Sequence, residues 1–216
     1  HQSIFDCFLA EQMMSKYFKK EPITDIIGNL ESQNLAKRYR MQIFLQEMLI
    51  DYPSDFLVIG EQMLENETIR YNFKCLYLEV LSQIQNTEEC ITEFILELLE
   101  NSQWKVPVIN AVIHGNSVYI TQLIDDGILD SWMKDTPETV IGLLASLSPN
   151  YDKKQVQFMQ KYCLSNERNS DWSRCFYGDI IEDSDEFFDL KLEFYKMNPE
   201  MFNYFIFFKR FFQKLN

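Results

Sequence analysis

The chain has 216 residues, enough to bury a sizeable core as one large domain or a short repeat array. Hydrophobic residues make up 46% and charged residues 25%, which excludes a mainly disordered chain. The 20 Lys and Arg against 33 Asp and Glu leave a net charge of −13, so the field of the molecule repels phosphate backbones and anionic lipid, and neither nucleic acid nor a membrane is expected as a partner.

Six Gly and six Pro are about half the usual share, which points to helices, and the apolar spacing agrees. Residues 4–18 place Ile4, Phe5, Phe8, Leu9, Met13, Tyr17 and Phe18 at helical spacing, and Lys16, Lys19 and Lys20 suit the C-terminal dipole. Pro22 restarts the chain, and 34–51 reads as the next long helix. Pro53 is expected to stop it, with Ser54 as N-cap of a helix over 55–65. Thr68 opens a helix whose apolar face, from Ile69 through Phe73, Leu76, Tyr77 and Val80 to Ile84, is broad enough to predict burial nearly all round. Over 88–100, Ile91, Phe94, Ile95, Leu98 and Leu99 face one way and Glu93, Glu97 and Glu100 the other.

Further helices are expected at 104–114, 117–133, 137–147 and 152–164, separated by Gly115-Asn116, Thr136-Pro137 and Ser148-Pro149-Asn150, with a further turn signal at Asp126-Gly127. The polar stretch 165–184 reads as a loop, and helices resume at 185–197 and 201–215. Alternate helices start near Asn34, Thr68, Gln103 and Thr136, intervals of 34, 35 and 33 residues. That is the size of a two-helix TPR- or HEAT-like unit, although the TPR side-chain pattern is missing. The expected fold is therefore all-α: antiparallel helical hairpins stacked as a short α-solenoid, with a globular helix bundle as the alternative. Residues 1–20 would form a terminal helix continuous with a preceding domain, 21–164 the array, and 165–216 an acidic loop and the last helices of that array. The first residue is His1 and not Met, which leads to the expectation of a segment of a longer chain.

Chemistry-bearing motifs are few. No GxxxxGK[ST] occurs, and His1 and His114 alone cannot build an HExxH or a zinc cluster. His114 ends VINAVIHGN beside Gly115, a place where a cation-capable side chain commonly sits near a helix C-terminus. An all-α enzyme built on His114 and nearby carboxylates is the weakest of the functional readings. Cys7, Cys75, Cys90, Cys163 and Cys175 are widely spaced, without a CxxC pair, and read as reduced, mostly buried thiols. The N-terminus lacks a signal-peptide layout and no apolar run approaches a membrane span, so a cytoplasmic location is expected. Asp179, Glu182, Asp183, Asp185, Glu186 and Asp189 lack the ligand order of an EF-hand and read as a solvated loop and helix start. Lys37-Arg38-Arg40 and Lys209-Arg210-Lys214 are local anion contacts at most. The string FNYFIFFKRFFQKLN at 202–216 reads as a helix packed in the core or against a neighbouring repeat or partner. Trp104, Tyr119, Trp132 and Trp172 lie near helix starts or in loops, where an aromatic side chain can emerge to bind a protein partner.

The opening residues His1-Gln2-Ser3-Ile4-Phe5-Asp6-Cys7-Phe8-Leu9-Ala10 resemble the end of the winged-helix region in bacterial STAND NTPases, the signalling ATPases related to NLR immune receptors. His1, Gln2, Ser3, Phe5, Asp6 and Ala10 match that pattern, while Cys7 stands where an aromatic is often seen. The resemblance implies that this helix leads from a nucleotide-binding core into helical repeats that sense a ligand. It also implies that His1 is the sensor histidine near the phosphates of the resting state. ATP or ADP with Mg would then belong to the parent chain, and this segment would need no cofactor. The functional expectation is a non-catalytic protein-binding module, the ligand-sensing or autoinhibitory arm of such an NTPase. The alternative is a free-standing α-helical adaptor or scaffold.

Overall fold

The computed structural model describes residues 2–84, 89–164, 169–176 and 184–201, and among them every regular element is helical. The chain forms two compact units, His1–Val112 and Ile113–Asn216. None of the described helices is long and apolar enough to cross a membrane.

The first unit contains α1 (Gln2–Phe18), α2 (Ile23–Ile27), α3 (Leu35–Asp51), α4 (Pro53–Glu65), α5 (Tyr71–Leu81), α6 (Glu89–Glu100) and α7 (Lys105–Val108), and α7 runs into a π-helical turn at Ile109–Ile113. Odd-numbered helices form one row, α1 on α3, α3 on α5 and α5 on α7; the even-numbered row places α2 on α4 and α4 on α6. The core lies between these rows. Met41, Phe44, Leu45 and Met48 of α3 are buried, as are seven residues of α5 from Phe73 to Leu81. Gly60 of α4 faces the Tyr77 ring, and Tyr77 stacks on Phe56 with centroids 4.6 Å apart.

Several boundaries differ from the sequence expectation for local reasons. Pro53 is the first residue of α4 and Tyr52 its N-cap, so Ser54 lies inside the helix; a missing N–H costs nothing in the first turn. Thr68 stands outside α5, because the Asn66 carboxamide oxygen accepts from both its N–H, at 2.8 Å, and its hydroxyl, at 2.7 Å. In the stretch expected as one helix over 104–114, Pro107 removes a backbone donor and the chain widens to the π turn.

The basic cluster on α3 is used inside the fold. Lys37 Nζ donates to the Ile26 carbonyl at 2.7 Å, Arg38 pairs with Glu79 of α5 at 2.6 Å, and Arg40 pairs with the buried Asp6 of α1 at 2.9 Å. Three neighbouring cations therefore tie α3 to α2, α5 and α1, which replaces the reading of this cluster as an anion contact.

The second unit contains α8 (Ser117–Asp125), α9 (Ile128–Asp135), α10 (Pro137–Ala145), α11 (Lys153–Cys163), α12 (Asn169–Trp172) followed by a 3-10 turn at Ser173–Phe176, and α13 (Asp185–Met197) followed by Pro199–Met201. Helix α11 packs on α8 and on α13, while α10 packs on α9, α12 and the 3-10 turn. Gly127, at φ 70°, separates α8 from α9 within the segment expected as one helix at 117–133. Asp152 caps α11 in a capping box with Gln155. The buried Gln155 carboxamide also donates to the Ser117 carbonyl at 3.1 Å and the Thr121 hydroxyl at 2.8 Å.

The expected loop at 165–184 is corrected where it is described. Trp172, Cys175 and Phe176 stand at helical spacing and are buried to 1%, 0% and 1% exposure, so this polar stretch carries an apolar helical face. Ser184 caps α13 and accepts from the Phe187 N–H, with Asp185 and Glu186 in the first turn; Asp179, Glu182 and Asp183 lie outside the described residues. So do Lys209-Arg210-Lys214 and the rest of 202–216.

Candidate functional site

The aromatic residues singled out as partner-binding candidates sit mainly in the core. Trp104 is the N-cap residue of α7 and is 3% exposed. Its indole lies parallel to the Tyr71 ring, with centroids 6.3 Å apart, and the Lys74 ammonium sits 5.7 Å from its centroid. Lys74 Nζ donates to the Leu64 carbonyl at 2.7 Å, which satisfies a C-terminal carbonyl of α4. Burial lowers the Lys74 pKa, against a smaller upward pull from Glu67. Trp104 thus closes the base of a small cluster in which Tyr71, 60% exposed, is the part that meets solvent.

Tyr119 of α8 is 2% exposed, and burial raises its phenol well above the ordinary tyrosine range. Trp172 is among the largest fully buried side chains. These two belong to helices with different neighbours, α8 against α9 and α11, and α12 against α10. Trp132 of α9 is partly exposed, the one member of the set that keeps part of its ring at the surface. The expectation that Trp104, Tyr119 and Trp172 emerge is therefore corrected. A residue near a helix start still points inward when its position falls on the buried stripe, and large aromatic rings gain most from that placement. His1, the residue that the family resemblance singles out, lies outside the described residues.

Other apolar side chains are exposed instead. Ile4, Phe5 and Phe8 on α1 are 73%, 56% and 55% exposed, and Leu35 and Tyr39 on α3 are 82% and 51% exposed. Arg40 of α3 lies beside the α1 group, its guanidinium 5.9 Å from the Phe5 centroid. Helical spacing groups Ile4, Phe5 and Phe8 with Met13, which is buried. Leu35 opens α3, and Ile4, Phe5 and Phe8 occupy the flank of α1 opposite the buried Asp6, Ala10 and Met13; which flank is covered is set by the neighbouring helices.

The titratable groups have structural surroundings. Burial pushes the Cys163 and Cys175 thiols up to about 12, so both are protonated at neutral pH, the opposite of an activated nucleophile. Cys7 and Cys90 are exposed and Cys75 is half-buried, which corrects the expectation of mostly buried thiols. His114 is exposed beside Gly115, whose φ is 77° and whose N–H donates to the Ser146 hydroxyl at 2.8 Å. Among the described residues no group of three His, Cys, Asp or Glu side chains is placed to hold a metal ion. Comparison of the chain with protein-family models, with curated proteins and with solved structures finds no match.

Proposed function

We propose that this chain is a protein-binding helical-repeat module, built as an α-solenoid of TPR- or HEAT-like hairpins, and that it serves as the ligand-sensing or autoinhibitory arm of a STAND-type signalling NTPase. The observation that carries the repeat reading is the recurrence of helix starts together with the pattern of packing. In the first unit the alternate helices α3, α5 and α7 begin at Leu35, Tyr71 and Lys105, at intervals of 36 and 34 residues, and in the second α10 and α12 begin at Pro137 and Asn169, 32 residues apart. Within the first unit each odd helix packs on the next odd helix, and the even helices do likewise, which is how stacked hairpins bury faces that a single hairpin leaves open. Such modules act through surface and not through chemistry. The protonated buried thiols and the structural use of Lys37, Arg38, Arg40 and Lys74 support that reading.

The link to a STAND parent rests on the resemblance of residues 1–10. The ligand would be a protein, and ATP or ADP with Mg would be bound by the parent's nucleotide-binding core. The test is to read the coding sequence upstream of the His1 codon. A GxxxxGK[ST] motif following a predicted strand, with a winged-helix region between it and His1, is the expected result. A start codon immediately before His1 overturns the STAND reading and leaves a free-standing helical adaptor. Deleting 21–216 from such a parent is expected to abolish ligand-dependent activation, and activation that survives the deletion overturns the sensor role.

A further inference from the structure

We draw no further inference here: the strongest candidate, the exposed apolar patch formed by Ile4, Phe5 and Phe8 of α1 with Leu35 and Tyr39 of α3, carries nothing because the cations beside it are already engaged within the fold and nothing in the structure shows what covers it.

Discussion

The carboxamide of Gln33 accepts the backbone N–H of Arg70 at 2.7 Å, joining the residue before the N-cap of α3 to the N-cap residue of α5. The same side chain donates to the carbonyls of Gly28 and Thr68, each at 2.9 Å, and is 1% exposed. One buried polar group therefore satisfies three backbone groups on two successive turns. Replacing Gln33 by Ala removes all three hydrogen bonds, at a cost of about 1–3 kcal/mol. A lowered urea midpoint with an unchanged slope is the expected signature; an unchanged midpoint contradicts this role.

Gly60 and Gly127 separate two reasons for glycine. A methyl group at Gly60 would overlap the Tyr77 ring, which is pinned against Phe56, so Gly60→Ala overpacks the core by about 1–3 kcal/mol. At Gly127 an added Cβ meets nothing, and the strain comes from φ 70°, so Gly127→Ala costs about 1–2 kcal/mol. Gly127→Asn should recover much of that loss, because Asn tolerates this conformation, whereas Gly60→Asn should be worse than Gly60→Ala. Thermal unfolding of the four variants tests the ordering.

Asp130 joins α9 to α11 by accepting from Lys161 at 2.6 Å and from the Tyr162 hydroxyl. Those hydrogen bonds, Lys161 first, hold its carboxyl below its ordinary value of 3.8, and the same contacts raise Lys161 above 10.5. A lowered carboxyl pKa adds stability that is fully present above the unfolded value and is lost as pH falls through the folded one. A raised lysine pKa adds stability that is present below its unfolded value and is lost as pH rises through the folded one. The tie is thus complete between about pH 5 and pH 9 and fades at both extremes. In Asp130→Asn the melting temperature should fall in that central range and converge on the parent protein in acid. A constant offset across all pH values would refute the assignment.

Cysteine labelling separates exposed from buried thiols. In the native protein at pH 8, iodoacetamide should modify Cys7 and Cys90 well before Cys163 and Cys175, whose burial holds them at about 12. Peptide mass spectrometry after unfolding in urea should show all of them labelled. Early native labelling of Cys175 would contradict the packing of the 3-10 turn beneath Tyr151, whose hydroxyl donates to the Cys175 carbonyl at 3.0 Å.

The three tryptophans report on the same core. Trp104 and Trp172 are buried and Trp132 is partly exposed, so iodide should quench a minor fraction of the fluorescence, and Trp132→Phe should remove most of that fraction. Quenching that persists in Trp132→Phe would show that Trp104 or Trp172 is accessible.

The sequence by itself determined the helical class and most helix positions, because a 3.6-residue period of apolar residues has one economical solution. Ile91, Phe94, Ile95, Leu98 and Leu99, grouped on one face from spacing, are the buried residues of α6, and α13 spans the expected 185–197. Local chemistry also marked the break at Gly115-Asn116, where Asn116 caps the helix that follows. Only the tertiary structure decided which apolar residues are core and which are surface. Leu35 and Met41 lie on the same predicted helix, yet one is 82% exposed and the other fully buried, because burial depends on where α1 and α5 lie against α3. The same reason accounts for the cations of α3 and for Trp104 and Trp172: spacing along one helix places a residue on a face, and only its neighbours determine what that face meets.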